Sequence, residues 1–556
     1  MKKGLIGAAM ITMACLWGLL AGLVILVFHL LGWGVMPAIL GSIVVIIIQF
    51  LVSPFLTDLS MRWFYRAKFD PVLPSWLSSF IEQVCRDNNM KVPKIGYIDD
   101  GAPNAFTYGR TKNDARVVFT RGILERLNEE EVRSVIAHEL GHAVHYDMLL
   151  MTAAQIVPLV MYAVYKACFA VSGSSSGSGS KSRKNSKEGG AVAVVGLVAY
   201  VLYIVCQYII LWFSRTREYY ADEFSAETTR NPAALASALV RIGFGLGTAQ
   251  NSEKKEKGIS TAMPSAIGIS DPNESKSVAI LCGSDGTIDK AVIKNAMKWE
   301  KWNVWAKLYQ LSSTHPLITY RIEALGELSE QYGQEPFVRF DLEKPESYAD
   351  DFLKDLLILI LPLLAFFAVA VVALCTTVRM PNGSPTSAVT SNPLLWIGIG
   401  IAAVSAASLL KFCYAHPNRK DAYRETNVAE LLGEVKVSGI TSIPAELEGK
   451  VIGRGNPGCV FNEDFVIEDR TGILFLDYKQ PLFILNKLFA IFRNEQNFGK
   501  TVTVRGWYRR SPVPYMELYT YTVDGKIKKC FTYPFGIVLR CVGIVGGLIL
   551  AALILL

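Results

Sequence analysis

The chain alternates long apolar stretches with polar segments of very different lengths. A helix needs about 20 apolar residues to cross the hydrocarbon layer of a membrane. Seven stretches meet this requirement, at residues 5–31, 36–57, 149–171, 190–213, 355–377, 393–413 and 534–556. The pattern therefore predicts an α-helical integral membrane protein with about seven spans, in direct contact with the lipid bilayer.

The number of crossings determines which polar segments share a compartment. Lys2 and Lys3 precede the first span, and basic residues favour the cytoplasmic side of a membrane. Alternate crossings then put residues 58–148, 214–354 and 414–533 on the same side. We expect a multi-pass protein of the cell (inner) membrane whose large polar segments, including any catalytic domain, face the cytoplasm.

One loop conflicts with this topology. Four basic residues between positions 181 and 187 fall in a loop that the crossing number puts outside. The stretches 149–171 and 190–213 could therefore form a hairpin that does not span the membrane fully.

Residues 430–530 have the alternating pattern of β-strands, punctuated by glycine and proline. The pattern predicts four strands, at Glu434–Gly439, Phe465–Glu468, Gly472–Asp477 and Thr501–Trp507. An apolar, helix-compatible stretch, Pro481–Arg493, precedes the fourth strand. A small barrel with a helix in that position is the OB-type arrangement, so we predict a C-terminal OB-like β-barrel domain. The apolar stretch could instead lie on the membrane surface.

Composition changes this picture little. The chain is 51% hydrophobic with a net charge of +7, and its basic residues form no long stripe with interleaved aromatics, so no nucleic-acid partner is expected. The charged, weakly periodic segment 244–300 predicts a solvated insertion. None of the ten cysteines forms a CxxC pair, which argues against a zinc site with cysteine ligands.

The segment 131–147 predicts a helix with Asn128 available as its cap. His138 and His142 are four residues apart, so both imidazoles project from one face and can reach a single zinc ion. Glu139 is close enough to hold and deprotonate the attacking water of a zinc hydrolase. An HExxH string also arises by chance in long chains. Zinc chemistry is favoured because this one precedes a membrane segment and a second polar signature follows.

That second signature supplies a candidate third ligand. In a His₂Glu zinc site the third ligand is a carboxylate from another helix. Glu218 could provide it, and Asp222, one turn further on, could accept a hydrogen bond from the far nitrogen of a ligand histidine. An exposed charged turn at a membrane boundary is the alternative. His145 shares the face of the two histidines but lies about 10 Å from His138 along a straight helix, so we expect it to be structural or substrate-facing.

With these residues, the chain resembles the HtpX and CAAX-prenyl-protease-like family of integral membrane zinc metallopeptidases over about residues 1–350. Four local matches carry the resemblance: Pro103–Gly109, His138–Asp147, Glu218–Asp222, and Ser313–Pro316 followed by Arg321. The resemblance implies a zincin-type catalytic domain that binds one Zn²⁺ per chain.

The resemblance also implies roles for further residues. Asn104, Ala105, Phe106, Thr107 and Gly109 resemble the edge strand that pairs with an extended substrate backbone. His315 and Arg321 resemble the catalytic groups that brace the site and stabilise the oxyanion.

The chain departs from the family after residue 350, where it has an extra hydrophobic pair, the β-rich domain and a terminal span. Its HExxH helix follows two spans, whereas in the CAAX protease most spans come first. We therefore expect quality control of misfolded or membrane polypeptides rather than processing of prenylated proteins.

The predicted function is that of a membrane-embedded zinc metalloendopeptidase that hydrolyses peptide bonds with a metal-activated water. The alternative is a membrane-anchored scaffold with a structural or vestigial zinc site, which binds partners through the OB-like domain. In that case the arginines and aromatic residues of the segment 505–510 could form a binding face, or merely an exposed strand end. The predicted segments are a transmembrane pair (1–57), a first catalytic part (58–148), a second transmembrane pair (149–213), a second catalytic part (214–350), a third transmembrane pair (351–413), the β-rich domain (414–533) and a terminal span (534–556).

Overall fold

The computed structural model describes residues 3–31, 36–174, 186–252, 290–340, 343–344, 346–377, 392–417, 423–454, 464–482, 486, 497–511 and 513–555. The helices are α1 (Lys3–Leu31), α2 (Met36–Trp63), α3 (Ser75–Asp87), α4 (Arg121–Arg126), α5 (Glu129–Val144), α6 (Asp147–Ser174), α7 (Ser186–Thr229), α8 (Pro232–Ser252), α9 (Lys290–Trp302), α10 (Val304–Leu311), α11 (Ile318–Gln331), α12 (Ala349–Thr377), α13 (Pro393–Ala415), α14 (Val428–Gly433) and α15 (Thr532–Leu555). The strands are β1 (Lys68–Phe69), β2 (Lys94–Ile98), β3 (Ala105–Gly109), β4 (Ala115–Thr120), β5 (Arg424–Glu425), β6 (Ile443–Arg454), β7 (Phe465–Glu468), β8 (Ile473–Asp477), β9 (Thr501–Ser511), β10 (Val513–Val523) and β11 (Lys526–Lys529).

Six helices in these ranges are long and apolar enough to cross a membrane: Gly4–Val27, Asp147–Phe169, Gly190–Thr229, Ala349–Thr376, Pro393–Ala415 and Thr532–Leu555. The predicted span at 36–57 lies in α2, and most side chains of this span are outside the described residues, so the seventh span stays a prediction. Most of the basic loop near 181–187 also falls outside them, so the sidedness stays a prediction as well.

The third and fourth predicted spans belong to α6 and α7, which pack with α1 around a shared apolar cluster that includes Leu16, Val157 and Cys206. The helix α7 does not end at residue 213, where the predicted span ends. It continues without a break to Thr229 and is 44 residues long. One helix therefore carries both a membrane span and the second polar signature.

Contacts divide the chain into two compact units. The N-terminal unit contains residues up to 249 together with 308–340, and its sheet has the strand order β1–β2–β4–β3. The strands β2 and β4 are parallel, and the other neighbouring pairs are antiparallel. The strand β3 lies at the sheet edge, as the resemblance implies, and it contacts α5.

The C-terminal unit contains α9 and the residues after 341, and it includes a closed barrel of five strands. The strands pair in the cyclic order β6–β7–β8–β10–β9, with β9 pairing back to β6. Within the barrel β8 and β10 are parallel, whereas the other neighbouring pairs are antiparallel. This is a five-stranded Greek-key barrel of the OB type, and it confirms the predicted small barrel. The helix predicted at Pro481–Arg493 falls mostly outside the described residues.

Two barrel strands differ from the prediction. Glu434–Gly439 is not a strand, because the carbonyls of Val435 and Val437 accept hydrogen bonds from the side chains of Asn303 and Trp299 instead of from a neighbouring strand. The first barrel strand is β6. The fifth strand, β10, was not predicted, because its prolines at either side of Val513 resemble a break in a strand pattern.

The predicted insertion 244–300 is also wrong at both ends, since residues 244–252 belong to α8. Residues 290–300 belong to α9, which buries Ile293, Met297 and Trp299. The apolar residues recur at helical spacing among lysines, so the segment is an amphipathic helix rather than a solvated loop. Residues 253–289 lie outside the described part of the chain.

The segment 505–510 is exposed only at its start, where the side chain of Arg505 is 55% exposed and forms an ion pair with Glu446. Trp507, Tyr508, Arg509 and Arg510 are all 3% exposed or less. Arg510 donates to the carbonyl oxygens of Ala296 and Leu432, and its guanidinium lies over the ring of Trp299. These arginines therefore hold the C-terminal unit together.

Two membrane helices of the C-terminal unit, α13 and α15, approach through glycines. A Cβ on Gly547 would lie 2.6 Å from Ala402 N and from Gly398 O. A Cβ on Gly398 would likewise lie 2.8 Å from Ala551 N. Small residues let membrane helices come this close, and Arg540 on α15 adds a hydrogen bond to Ser408 on α13.

Candidate metal centre

The helix α5, which carries both histidines of the motif, is fixed at its start by a capping box. Asn128 Oδ1 accepts a hydrogen bond from Glu131 N, and Glu131 accepts one from Asn128 N, both at 2.9 Å. This confirms Asn128 as the cap. The other carboxylate oxygen of Glu131 accepts hydrogen bonds from Ser237 and Arg241, which ties α5 to α8. Every residue from Ser134 to Ala143 is buried.

The helix α7 crosses α5 closely at Gly141, the glycine of the HExxH motif. A Cβ at this position would lie 3.1 Å from Phe224 Cδ1 on α7, tighter than side chains ordinarily pack. Nearby, Ser225 Oγ donates to Ser134 O at 2.7 Å. The absence of a side chain at Gly141 thus lets α7 bring Glu218 against the two histidines.

His138, His142 and Glu218 are buried, and their ligand atoms lie within 4.8 Å of one another. Nε2 of His138 is 3.5 Å from Glu218 Oε2, and Nε2 of His142 is 3.6 Å from Glu218 Oε1. Zinc–ligand bonds of about 2.0–2.2 Å separate the donor atoms of a tetrahedral site by roughly 3.4 Å. The three side chains therefore already have nearly the spacing that one zinc ion requires.

The same three side chains leave buried polar atoms unpaired. His138 Nε2 and both carboxylate oxygens of Glu218 have no hydrogen-bond partner among the described residues. A buried carboxylate is costly unless a cation or hydrogen bonds compensate it. Two imidazoles and one carboxylate are also a donor set that zinc prefers in catalytic sites. The residues present therefore fit a zinc ion.

Each histidine has a buried carboxylate behind it. Asp147 Oδ2 is hydrogen-bonded to His142 Nδ1 at 2.7 Å. Asp222 Oδ1 is 2.9 Å from His138 Nδ1, at ion-pair distance but off the line of a straight hydrogen bond. Both carboxylates favour the tautomer that carries its proton on Nδ1, which leaves Nε2 free as a ligand.

Asp222 is itself held by Arg321. The guanidinium donates to both carboxylate oxygens, at 2.9 and 2.7 Å, and its side chain is 1% exposed. Burial disfavours the charged ring of His138, but Asp222 and Glu218 outweigh this effect and raise the pKa of His138 to about 9. A metal ion that binds here must therefore displace a proton from His138.

Glu139 is buried beside the ligands and is tied to the sheet edge. Thr107 Oγ1 on β3 donates to Glu139 Oε2 at 2.8 Å and lies 3.0 Å from the Glu139 backbone carbonyl oxygen. The hydroxyl engages one carboxylate oxygen and leaves the other available. The edge strand and the candidate base are thus in direct contact.

The register of β3 shows which of its backbone groups are open. On either side of β3, Thr120 N donates to Asn104 O and Arg110 N donates to Asp114 O. The backbone N–H and C=O groups of the even-numbered residues therefore point toward β4. Antiparallel pairs alternate between bonded and non-bonded positions. The N–H and C=O groups of Ala105 and Thr107 therefore point to the open edge, while Phe106 is buried against the sheet.

His315 reaches the same centre from a different segment. Its Nε2 lies 3.8 Å from Glu218 Oε1, and its Nδ1 is 3.0 Å from Thr314 Oγ1. Arg215 on α7 fixes the chain just before it. Its Nη1 is within 3.3 Å of the backbone carbonyl oxygens of Gln310, Leu311 and Ser313.

His145 is not part of the cluster. It is the C-cap of α5, is 3% exposed, and its ring packs edge-on against Phe224 at 5.7 Å. This contact favours the structural alternative for His145.

Sequence reasoning gave no role to two residues that position the site, Asp147 and Arg215, and it placed Thr107 on the edge strand without its contact to Glu139. Asp147 could have been found as a carboxylate five residues after His142, but Tyr146, with φ +61°, breaks the helix between them and changes its direction. Thr107 and Arg215 act through contacts with residues 32 and 95–98 positions away, and no local pattern reports such contacts.

Comparisons with known proteins find relatives over the part of the chain that contains this site. Residues 72–329 match the model of Peptidase family M48. A protease HtpX homologue of Methanothermobacter thermautotrophicus is 36% identical over 237 residues, which cover 42% of this chain and 84% of that protein. Another, from Aeropyrum pernix, is 30% identical over 292 residues, which cover 52% and 86%. The crystal structure of S. mikatae Ste24p is 16% identical with a TM-score of 0.34, covering 58% of this chain and 67% of that one.

The family match contains the whole cluster of two histidines and a glutamate, together with the helix and edge strand that flank it. Apolar helices of membrane-spanning length lie on both sides of the HExxH helix along the chain. The chain therefore belongs to peptidase family M48 and is a multi-pass membrane metallopeptidase of the HtpX-like kind.

Proposed function

We propose that the protein is a zinc metalloendopeptidase that hydrolyses internal peptide bonds of polypeptides. The observation that carries this proposal is the buried cluster of His138, His142 and Glu218, with Glu139 directly beside it. A structural zinc site has no use for a carboxylate base next to its ligands, and it usually has four protein ligands instead of three. The donor set here leaves one position for water or substrate.

When bound, zinc would polarise the scissile carbonyl and make the attacking water more acidic. Glu139 takes the proton from that water and delivers it to the nitrogen of the leaving amine. Thr107 holds Glu139 through Oε2, so Oε1 is the oxygen that carries the proton. Because Thr107 lies on the edge strand, the base keeps its position relative to the substrate.

The substrate backbone binds extended along β3 as an added strand. The outward N–H and C=O groups of Ala105 and Thr107 supply the main-chain hydrogen bonds. Asn104 and Gly109 lie at the two ends of β3, and the buried side chain of Phe106 supports β3 from the sheet interior. Recognition through backbone atoms suits an enzyme that accepts many sequences.

His315 stabilises the carbonyl oxygen as it gains negative charge. Its distance of 3.8 Å from Glu218 Oε1 supports this assignment, because a group beside a zinc ligand also lies beside the reacting carbonyl. Arg321 is a positioning residue, since its Nε and Nη2 hold Asp222, which in turn lies behind His138.

We further propose misfolded or membrane-bound polypeptides as substrates, and a cytoplasm-facing site in the cell membrane. The continuity of α7 supports this substrate class, because Glu218 lies on the same helix as a membrane span. Chains that emerge from the bilayer would meet the site directly.

The test compares purified wild type with Glu139→Gln in detergent, measuring zinc content and cleavage of casein, an unfolded model substrate. We expect about one zinc per chain in both and cleavage by wild type alone. Metal-dependent cleavage that survives in Glu139→Gln would overturn the assignment of the base. Zinc in both with cleavage in neither would favour the scaffold alternative.

A further inference from the structure

Arg217 directly precedes the third candidate ligand on α7, and the proposed function gives it no role. Its Nη2 lies 3.6 Å from Glu218 Oε1, at ion-pair distance. Its Nε is buried without a hydrogen-bond partner, and its guanidinium forms no hydrogen bond with any residue in the described part of the chain. The side chain is nevertheless 20% exposed, so part of it is accessible from outside the protein.

Arg217 differs in this respect from the other arginines around the centre. Arg321 is 1% exposed, and its Nε and Nη2 both donate to Asp222. Arg215 is committed to backbone carbonyls of the loop before His315. A guanidinium is always charged, and a buried donor without an acceptor is costly. An arginine that lies beside Glu218, is partly exposed and forms no hydrogen bond within the described residues can therefore bind an oxygen that arrives with the substrate.

The contacts of Glu218 indicate where that oxygen lies. Its Oε1 is 3.6 Å from His142 Nε2, 3.8 Å from His315 Nε2 and 3.6 Å from Arg217 Nη2. Its Oε2 instead faces His138 and Arg321. Arg217 and His315 therefore lie on the same side of the carboxylate, and two cationic or hydrogen-donating groups converge on one region.

We propose that Arg217 is a further catalytic residue, which donates hydrogen bonds, together with His315, to the carbonyl oxygen of the scissile peptide as that oxygen gains negative charge. The inference rests on the proposed peptidase function. The charge of Arg217 contributes most in the transition state, because the neutral carbonyl of the bound substrate attracts a cation less than an oxyanion does.

The test uses the full chain in detergent and compares wild type with Arg217→Met and Arg217→Lys. Arg86→Met is the matched control, since Arg86 is an arginine of the same unit whose side chain is 69% exposed on α3. Three quantities are measured: zinc content, kcat and KM on labelled casein, and inhibition by a peptide phosphinate, whose tetrahedral anionic group imitates the transition state.

Removal of one oxyanion donor lowers kcat by about 100- to 1000-fold in other hydrolases. We expect Arg217→Met to lower kcat by about 100-fold and to change KM by less than about threefold. The affinity for the phosphinate inhibitor should fall by about 100-fold as well. Zinc content should stay at the wild-type level. Arg217→Lys should recover part of the loss, because it keeps the charge without the planar fork.

Two results would overturn the proposal. Wild-type kcat and phosphinate affinity in Arg217→Met would show that the residue does not meet the oxyanion. Loss of activity in proportion to loss of zinc would show that Arg217 only orients Glu218. If wild type itself cleaves no casein, the proposed function fails instead, and phosphinate binding to the zinc-loaded wild type and Arg217→Met still tests this inference separately.

Discussion

Asp147 and Asp222 each lie behind one histidine, but their surroundings predict different responses to the same substitution. Asp147 binds His142 through Oδ2, whereas its Oδ1 is buried without a partner among the described residues. Asp222 contacts His138 and also binds Arg321 through both oxygens. Substitution by asparagine therefore removes a counter-charge from an arginine at one site but not at the other.

In Asp147→Asn, the amide can turn its oxygen toward His142 and preserve the tautomer. The substitution then lowers only the basicity of His142 as a ligand. Such changes in the partner of a metal ligand weaken metal binding about 10- to 100-fold. This corresponds to about 1.4–2.7 kcal/mol. In Asp222→Asn, the buried guanidinium of Arg321 loses the charged acceptor of two of its hydrogen bonds, and a broken buried ion pair costs about 3–5 kcal/mol. Zinc affinity should fall in both variants, but folding stability should fall mainly in Asp222→Asn.

The assay has two parts in the same detergent: zinc affinity by competition with a chromophoric chelator, and the thermal unfolding midpoint of the metal-free protein. Asp99→Asn serves as control, because Asp99 is 70% exposed and pairs only at the surface, with Arg121. Equal losses of stability in Asp147→Asn and Asp222→Asn would refute the reasoning. Unchanged zinc affinity in Asp147→Asn would do the same.

Three further predictions concern other parts of the chain. Thr107→Val removes the donor that holds Glu139, so kcat should fall about 10-fold with zinc content unchanged, whereas Thr107→Ser should stay near wild type. Equal activity of the two variants would show that the hydrogen bond from Thr107 to Glu139 does not position the base. Gly547→Leu should lower the thermal unfolding midpoint, because its side chain would collide with α13, whereas Gly546→Leu should not, since nothing lies within 4 Å of a Cβ there. Burial raises the pKa of Glu517, but His416 and Arg509 outweigh this and lower it from 4.5 to about 2. The charged form therefore stabilises the fold above pH 4.5, by up to about 3 kcal/mol, and this contribution is lost as the pH falls from 4.5 toward 2. The stability deficit of Glu517→Gln in urea unfolding should be full at pH 7 and smaller at pH 3, and a constant deficit would contradict the assignment.

The parts of the fold that could be predicted are those with local signals. Apolar length alone indicated the membrane helices, and the capping residue Asn128 and the spacing of His138 and His142 are written within one helix. Phe465–Glu468 was predicted with the bounds of β7, because alternation and flanking turns occur together there. Each of these signals lies within about 20 consecutive residues.

The parts that could not be predicted depend on distant contacts. Glu434–Gly439 has a strand-like pattern, but two of its carbonyls accept hydrogen bonds from Trp299 on α9 and from Asn303 just after it, more than 130 positions earlier. Arg509 and Arg510 look solvent-exposed in the sequence, yet buried carbonyls receive their hydrogen bonds. The candidate site shows the same division, since Glu218 was found from its motif but the free donors of Arg217 become visible only in three dimensions.

Because the helix α7 is unbroken, the thickness of the bilayer can affect the position of Glu218 in the candidate metal centre. Glu218 lies roughly 24 Å along the helix from the middle of the predicted span 190–213, with no hinge between them, so the membrane segment acts as a lever. A tilt of about 5° around that midpoint would move Glu218 by roughly 2 Å, as far as the length of a metal–ligand bond. Membrane helices tilt when the hydrocarbon layer becomes thinner than the span. Peptidase activity should therefore respond to acyl-chain length, and the lipid that surrounds the enzyme becomes one of its regulators.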